Sequence, residues 1–111
     1  MISRVHPRAA GVCAAAASAL TGHVLLDAKH TDLLTAGKVD TGQGGKYAYG
    51  FEESMEGGAP RIGHSGGAPG MNGDLRIFPG SGFVVAALAN TGSGASQAVS
   101  WISERLPPAA R

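Results

Sequence analysis

Arg61-Ile-Gly-His-Ser-Gly-Gly-Ala-Pro-Gly-Met-Asn-Gly-Asp-Leu-Arg-Ile-Phe-Pro79 is the stretch on which the fold turns. Residues 61–65 read as a short strand that runs into Gly66-Gly67, and a loop carrying Gly70 and Gly73 follows. Residues 73–78 read as the next strand, with Leu75 and Ile77 on one face because side chains alternate along a strand. Pro79-Gly80-Ser81-Gly82 is turn sequence. Phe83-Val-Val-Ala-Ala-Leu-Ala89 is apolar throughout, which predicts a central strand covered on both faces.

Working outward, Tyr47, Tyr49 and Phe51 recur at period two and predict a half-buried strand over 47–51. Gly57-Gly58 supplies a turn. Residues 93–105 read as a helix with Val99, Ile102 and Leu106 on one face and Trp101 beside them, so the helical segment spans 93–106. Pro107 and Pro108 end it. Glycine is scarce earlier, with two of eighteen before Gly37. That third predicts helices over 9–20, stopped by Gly22, and over 27–36, with Asp27 as N-cap and Gly37 as stop. Leu33 and Leu34 supply the second helix's apolar face. Short turns make the strands antiparallel neighbours, so the expectation is an α+β fold: a sheet of about four strands with flanking helices on one side.

The composition narrows the function. The chain has 111 residues, and 9 Lys+Arg against 8 Asp+Glu leave a net charge of +1. That balance gives no electrostatic reason to expect nucleic acid or an acidic membrane as partner. Hydrophobic residues make up 43%, so a core is available, but Ala and Gly fill a third of the chain and leave it thin in large side chains. One cysteine, Cys13, excludes an internal disulfide framework and a cysteine-built zinc site. No run approaches the ~18 apolar residues of a membrane span. Arg4 and Arg8 before an Ala-rich stretch, with Ala17-Ser18-Ala19, imitate a cleaved leader. Val12 and Leu20 are its only bulky aliphatics, so an ordinary surface or packing helix is the better reading. The compartment, periplasmic, secreted or cytoplasmic, stays open.

A strand ending in His64-Ser65-Gly66-Gly67 can offer amides, an imidazole and a hydroxyl to one small space. The same glycines would serve equally in a wide turn. Gly63-His-Ser-Gly-Gly67 also fits G-x-S-x-G, but a nucleophile elbow needs a helix after the serine, and Gly-Gly-Ala-Pro-Gly cannot start one. No histidine follows His64, so a Ser…Asp…His order is excluded. Ser65 thus stands as a weak candidate nucleophile. His6, His23, His30 and His64 lack metal-ligand spacing, and no cofactor is expected. His23 and His30 read as solvated helix residues, and Glu52, Glu53 and Glu56 as an exposed polar face. Cys13 reads as a buried inert thiol. Thr35-Ala-Gly-Lys38 imitates S-x-x-K, but its Thr and Gly37 argue for a helix end.

Tyr47-Ala-Tyr-Gly-Phe51, His64-Ser-Gly-Gly-Ala-Pro-Gly70 and Phe83-Val-Val-Ala-Ala-Leu-Ala-Asn90 together resemble the C-terminal part of the serine β-lactamase-like hydrolases. This is the group of class C β-lactamases, penicillin-binding proteins and family VIII esterases. Ala19-Leu-Thr-Gly-His-Val-Leu-Leu26 and Leu33-Leu34 resemble the segment that precedes the strands, so the likeness covers about residues 14–106. It implies that His64-Ser65-Gly66 corresponds to the family's K-T-G or H-x-G motif on the strand lining the site. His64 would give a polar or cationic contact, Ser65 a hydroxyl contact, and the backbone after Gly66, at Gly67, part of an oxyanion hole. The substrate would be a small ester or amide. The family's S-x-x-K and Y-x-N motifs do not occur in the sequence. The resemblance therefore implies a single partial domain over 1–111: helical over 9–37, strands and turns over 46–90, helix over 93–106. Such a fragment would be inactive alone and prone to associate through its uncovered sheet. The alternatives are a minimal esterase using Ser65 and a non-catalytic remnant acting as a binding module.

Overall fold

The computed structural model describes residues 7–107. Arg4, His6 and Pro108, named above, lie outside them. The order is α1 (Pro7–Thr21), α2 (Ala28–Thr35), β1 (Val39–Asp40), β2 (Lys46–Tyr47), β3 (Glu52–Glu56), β4 (Ala59–Ala68), β5 (Met71–Phe78), β6 (Phe83–Ala89) and α3 (Gly94–Ser103). This is an α+β fold whose six strands form one antiparallel sheet in sequence order.

Turn chemistry explains the meander. Gly57 and Gly58 both have positive φ (59° and 80°), as a two-residue hairpin turn of type I′ demands. Pro69-Gly70, with Gly70 at φ 78°, makes the second two-residue turn, which closes Ala68 on Met71. The strand expected over 61–65 therefore runs the full length of β4, through Gly66 and Gly67. The strand expected over 47–51 is broken instead. Gly50, at φ 82°, turns the chain between β2 and β3 so that Tyr47 pairs with Glu52, and this adds a hairpin to the anticipated four strands.

The helices lie on both faces of the sheet, not on one. Ala17 of α1 packs with Ile62 and Ile77, joined by Leu75, Val84 and Phe51. Val99 of α3 packs with Phe78 and Val85, joined by Ala87 and Leu106. Ile77 and Phe78 are consecutive and so point to opposite faces. β6 is covered on both faces as its apolar run predicts, but it is the edge of the sheet and not its centre. The core is thin: Ile77 and Val99 are the only large side chains less than 2% exposed among the described residues.

The helix ends follow local chemistry, with three departures. His23, not Gly22, takes the left-handed conformation after α1 (φ 57°). His23 N–H bonds Leu20 O at 3.2 Å and Val24 N–H bonds Ala19 O at 2.9 Å, a Schellman closure. Asp27 caps α2 by accepting from the His30 amide at 2.8 Å. α2 buries Thr31 and Thr35 while Leu33 stays 55% exposed, so its packed face is not the Leu33–Leu34 one. In α3 the buried pair is Ala95 and Val99, and Trp101 and Ile102 face outward.

Under α3 sits a buried charge network. Arg76 donates to Asp74 Oδ2 (3.1 Å), Glu56 Oε1 (2.5 Å) and Ser100 Oγ (3.0 Å), and Glu56 also pairs with Arg61 at 3.0 Å. Burial alone would lower the Arg76 pKa; the hydrogen bond and charge of Asp74, then those of Glu56, outweigh it and hold it above the ordinary arginine value. Glu56 is therefore a bracing residue and not part of an exposed polar face, and Glu53 Oε2 accepts from the Gly37 amide at 2.6 Å. A Cβ on Gly37 would meet Lys46 Cβ at 2.3 Å, so this glycine permits close packing and no left-handed stop.

Arg76→Met should destabilise the fold by about 3–5 kcal/mol, because Asp74 is left buried and unpaired. Arg76→Met with Asp74→Leu should regain part of that loss; chemical denaturation of both variants checks it. The capping bond and side-chain contact of His30 hold the Asp27 pKa below its ordinary 3.8. A depressed carboxylate pKa means that stability is fully present above about 3.8 and is lost as pH falls through the lower folded value. Protection of the α2 amides against exchange, relative to the unfolded chain at the same pH, should therefore fall on acidification. In Asp27→Asn, which caps without titrating, it should not.

Candidate functional site

The site follows from a stagger between strands. β3 pairs with β4 only as far as Glu52 opposite Gly63, whereas β4 pairs with β5 from Ile62–Ile77 to Ala68–Met71. Residues 64–68 therefore have β5 on one side and, among the described residues, no strand on the other. The two-residue turns at each end of β4 fix its phase, since the residues flanking such a turn form a hydrogen-bonded pair. Counted from Glu56–Ala59, odd-numbered residues of β4 face β3. Counted from Ala68–Met71, even-numbered residues face β5. Both counts turn the N–H and C=O of Ser65 and Gly67 toward the open edge. Gly63 sits where the stagger begins, and a Cβ there would lie 1.9 Å from the Leu75 carbonyl oxygen.

The structure places His64 and Ser65 side by side in sequence but on opposite faces. His64 shares a face with Ile62 and lies opposite Leu75; Ser65 lies opposite Asp74. Both are exposed. His64 Nε2 lies 3.2 Å from the Tyr47 hydroxyl, and the two rings meet edge to face at 5.9 Å and 78°. No described side chain hydrogen-bonds the Ser65 hydroxyl. Gly66 is held by Asn72, whose Nδ2 donates to Gly66 O at 3.1 Å. Asn72 Oδ1 accepts from the Ser96 amide at 2.8 Å, so a strand residue caps α3 where Ser93 makes no side-chain cap. A groove of about 610 Å³ runs beside this hairpin, with Gly67, Met71, Asn72 and Leu88 in its walls.

The other candidates are not brought to this edge by any contact. His23 is no helix residue; its Nδ1 lies 3.4 Å from Thr31 Oγ1. His30 pairs with Asp27 at 2.7 Å. Cys13 is exposed, because α1 buries Ala17 and Leu20 instead. Lys38 ties down the end of α2, donating to Leu33 O and Ala36 O at 2.6 Å each, with its ammonium 4.6 Å from the Tyr49 ring centre. Among the described residues no group of three or more His, Cys, Asp or Glu could hold a metal ion. No described helix is long and apolar enough to cross a membrane. Sequence reasoning misses Tyr47 as a partner of His64. The two are 17 residues apart, and the broken strand that joins them is invisible in a period-two pattern.

The fold is of the β-lactamase and penicillin-binding-protein type. A crystal structure of a penicillin binding protein from Bacillus halodurans superposes with a TM-score of 0.71 at 28% sequence identity. The match covers 79% of this chain and 28% of that one, so this chain spans little more than a quarter of that protein's length. No protein-family model matches the sequence, and no curated protein does.

Proposed function

We propose that this chain is the C-terminal sheet segment of a β-lactamase-like serine hydrolase, of the group that includes class C β-lactamases, penicillin-binding proteins and family VIII esterases. The observation that carries the reading is the open edge of β4, where Ser65 and Gly67 turn backbone groups outward beside His64. In the reaction, a serine hydroxyl adds to the carbonyl carbon of an ester or amide. The alcohol or amine leaves, and water then cleaves the acyl-serine ester. The Gly67 N–H would stabilise the oxyanion that forms at each addition, and such stabilisation generally supplies much of the rate enhancement in acyl transfer. The Ser65 N–H and C=O would align the substrate's amide along the strand, and its hydroxyl and the His64 imidazole would add polar contacts.

The attacking serine and its lysine are not in this sequence, so the chain alone would bind without acylating. The minimal-esterase reading needs a base on Ser65. His64 points to the other face, and an unactivated serine at its free pKa is a poor nucleophile. Intact-protein mass spectrometry after incubation with a fluorophosphonate should show no stoichiometric adduct. An adduct abolished by Ser65→Ala would replace this proposal with the esterase. A β-lactam titrated into the labelled chain should shift the Ser65 and Gly67 amide resonances. If those amides stay still while the chain is folded, the open edge is no substrate site.

We propose too that copies of the chain associate through β6. The pairs between β5 and β6 direct the N–H and C=O of Val84, Ala86 and Leu88 away from β5. These backbone groups lie on an apolar strand within a run, 80–103, that carries no charged residue. Two copies of such a strand can pair antiparallel with no charge opposed, and no lysine or proline guards the edge. Sedimentation should show a dimer that Leu88→Lys returns to monomer. A monomeric parent chain at high concentration would refute the proposal.

A further inference from the structure

Tyr47 stands at the end of β2, and its placement is over-determined. The next residue, Ala48, is 7% exposed and its amide donates to Phe51 O at 2.7 Å. Tyr49 N–H reaches back to Leu34 O of α2 at 3.2 Å. Tyr47 itself pairs with Glu52, and Glu52 pairs with Gly63, so one row across three strands ends beside His64. The phenol thus reaches His64 Nε2 from a segment fastened to both α2 and the sheet.

We propose that Tyr47 is a positioning residue for the His64 imidazole, fixing its ring orientation and its tautomer at the open edge of β4. A phenol O–H is a good donor and its oxygen a poor acceptor, whereas a neutral imidazole nitrogen accepts well. The bond therefore runs from Tyr47 to Nε2, and the ring proton sits on Nδ1. Which nitrogen of a histidine carries the proton is set by the bond the other nitrogen makes. The edge-to-face packing of the two rings restricts rotation of the imidazole as well. Nδ1–H is then the imidazole's free donor. The value of this for binding rests on the substrate-site reading above; the tautomer does not.

The experiment is nitrogen-15 correlation of the histidine side chains near pH 8.5, where imidazoles are neutral. The parent chain should show His64 as the Nδ1–H tautomer. Tyr47→Phe keeps the ring and removes the donor; His64 should then revert to the Nε2–H tautomer that a free imidazole favours. The Ala48 amide, protected in both, reports that the segment is still folded. His64 spectra unchanged by Tyr47→Phe would overturn the proposal. So would an Nε2–H tautomer in the parent chain, which needs no variant. A β-lactam titration of the same samples separates the two ideas: ligand shifts absent with the tautomer switch present would leave Tyr47's role intact and remove the substrate site.

Discussion

Arg76 is the residue that the sheet and α3 share. Its guanidinium reaches one carboxylate from β3, one from its own strand and a hydroxyl from α3. With Arg61 included, the cluster holds two positive and two negative charges and is neutral overall. A chain that is one-third Ala and Gly has few large side chains with which to pin a helix to a sheet, and among the described residues Val99 and Ile77 are the only large ones fully enclosed. Directional charge pairing does what bulk cannot. Such a network contributes less net stability than its count of bonds suggests, because four charges lose water. Its geometric effect is larger: it fixes the separation of β3 from β5 and the seat of α3.

The open edge begins where β3 ends. The chain turns at Gly50, so β3 extends no farther than Glu52, opposite Gly63. β4 continues for five more residues with, among the described residues, no strand on that side. Asn72 secures the far end by joining the β4–β5 hairpin to the first turn of α3. The two bracing points lie at opposite ends of β5, and neither touches the outward-facing amides of Ser65 and Gly67. A rigid strand with unsatisfied backbone groups is a suitable template for an extended ligand, and the glycines at 66 and 67 leave no side chain to obstruct one.

Much of this is legible in the sequence. Gly57-Gly58 locates one hairpin, the apolar run locates β6, and Asp27 announces its helix, whereas Gly66-Gly67 lies inside β4 and not at its end. Three misreadings share one cause, tertiary override of a local pattern. Tyr47, Tyr49 and Phe51 keep period two, yet the chain turns at Gly50 because Ala48 is drawn into the interior and Tyr49 into a bond with α2. Helical spacing groups Val99 with Ile102 on one face, but Ser96 and Ser100 occupy the sheet side, because their hydroxyls meet Asn72 and Arg76. Glu56 looks exposed in the sequence because its two arginine partners lie 5 and 20 residues away. No local pattern encodes a charge network built across three strands.

The candidate site divides the same way. That His64 and Ser65 face apart follows from strand alternation and needs no coordinates. That Ser65 and Gly67, and not His64 and Gly66, own the open edge needs the phase of both hairpins, which the glycine turns fix to the residue. The consequence is a separation of roles along four consecutive residues. Backbone groups of the odd positions face the open edge, and backbone groups of the even positions hold β5. The His64 side chain, beside Tyr47 of β2, lies on the α1 face, and the Ser65 hydroxyl lies on the opposite one. In the proposed hydrolase the attacking group would come from across this edge, so the contribution of this chain would lie in alignment and oxyanion stabilisation rather than in bond-making.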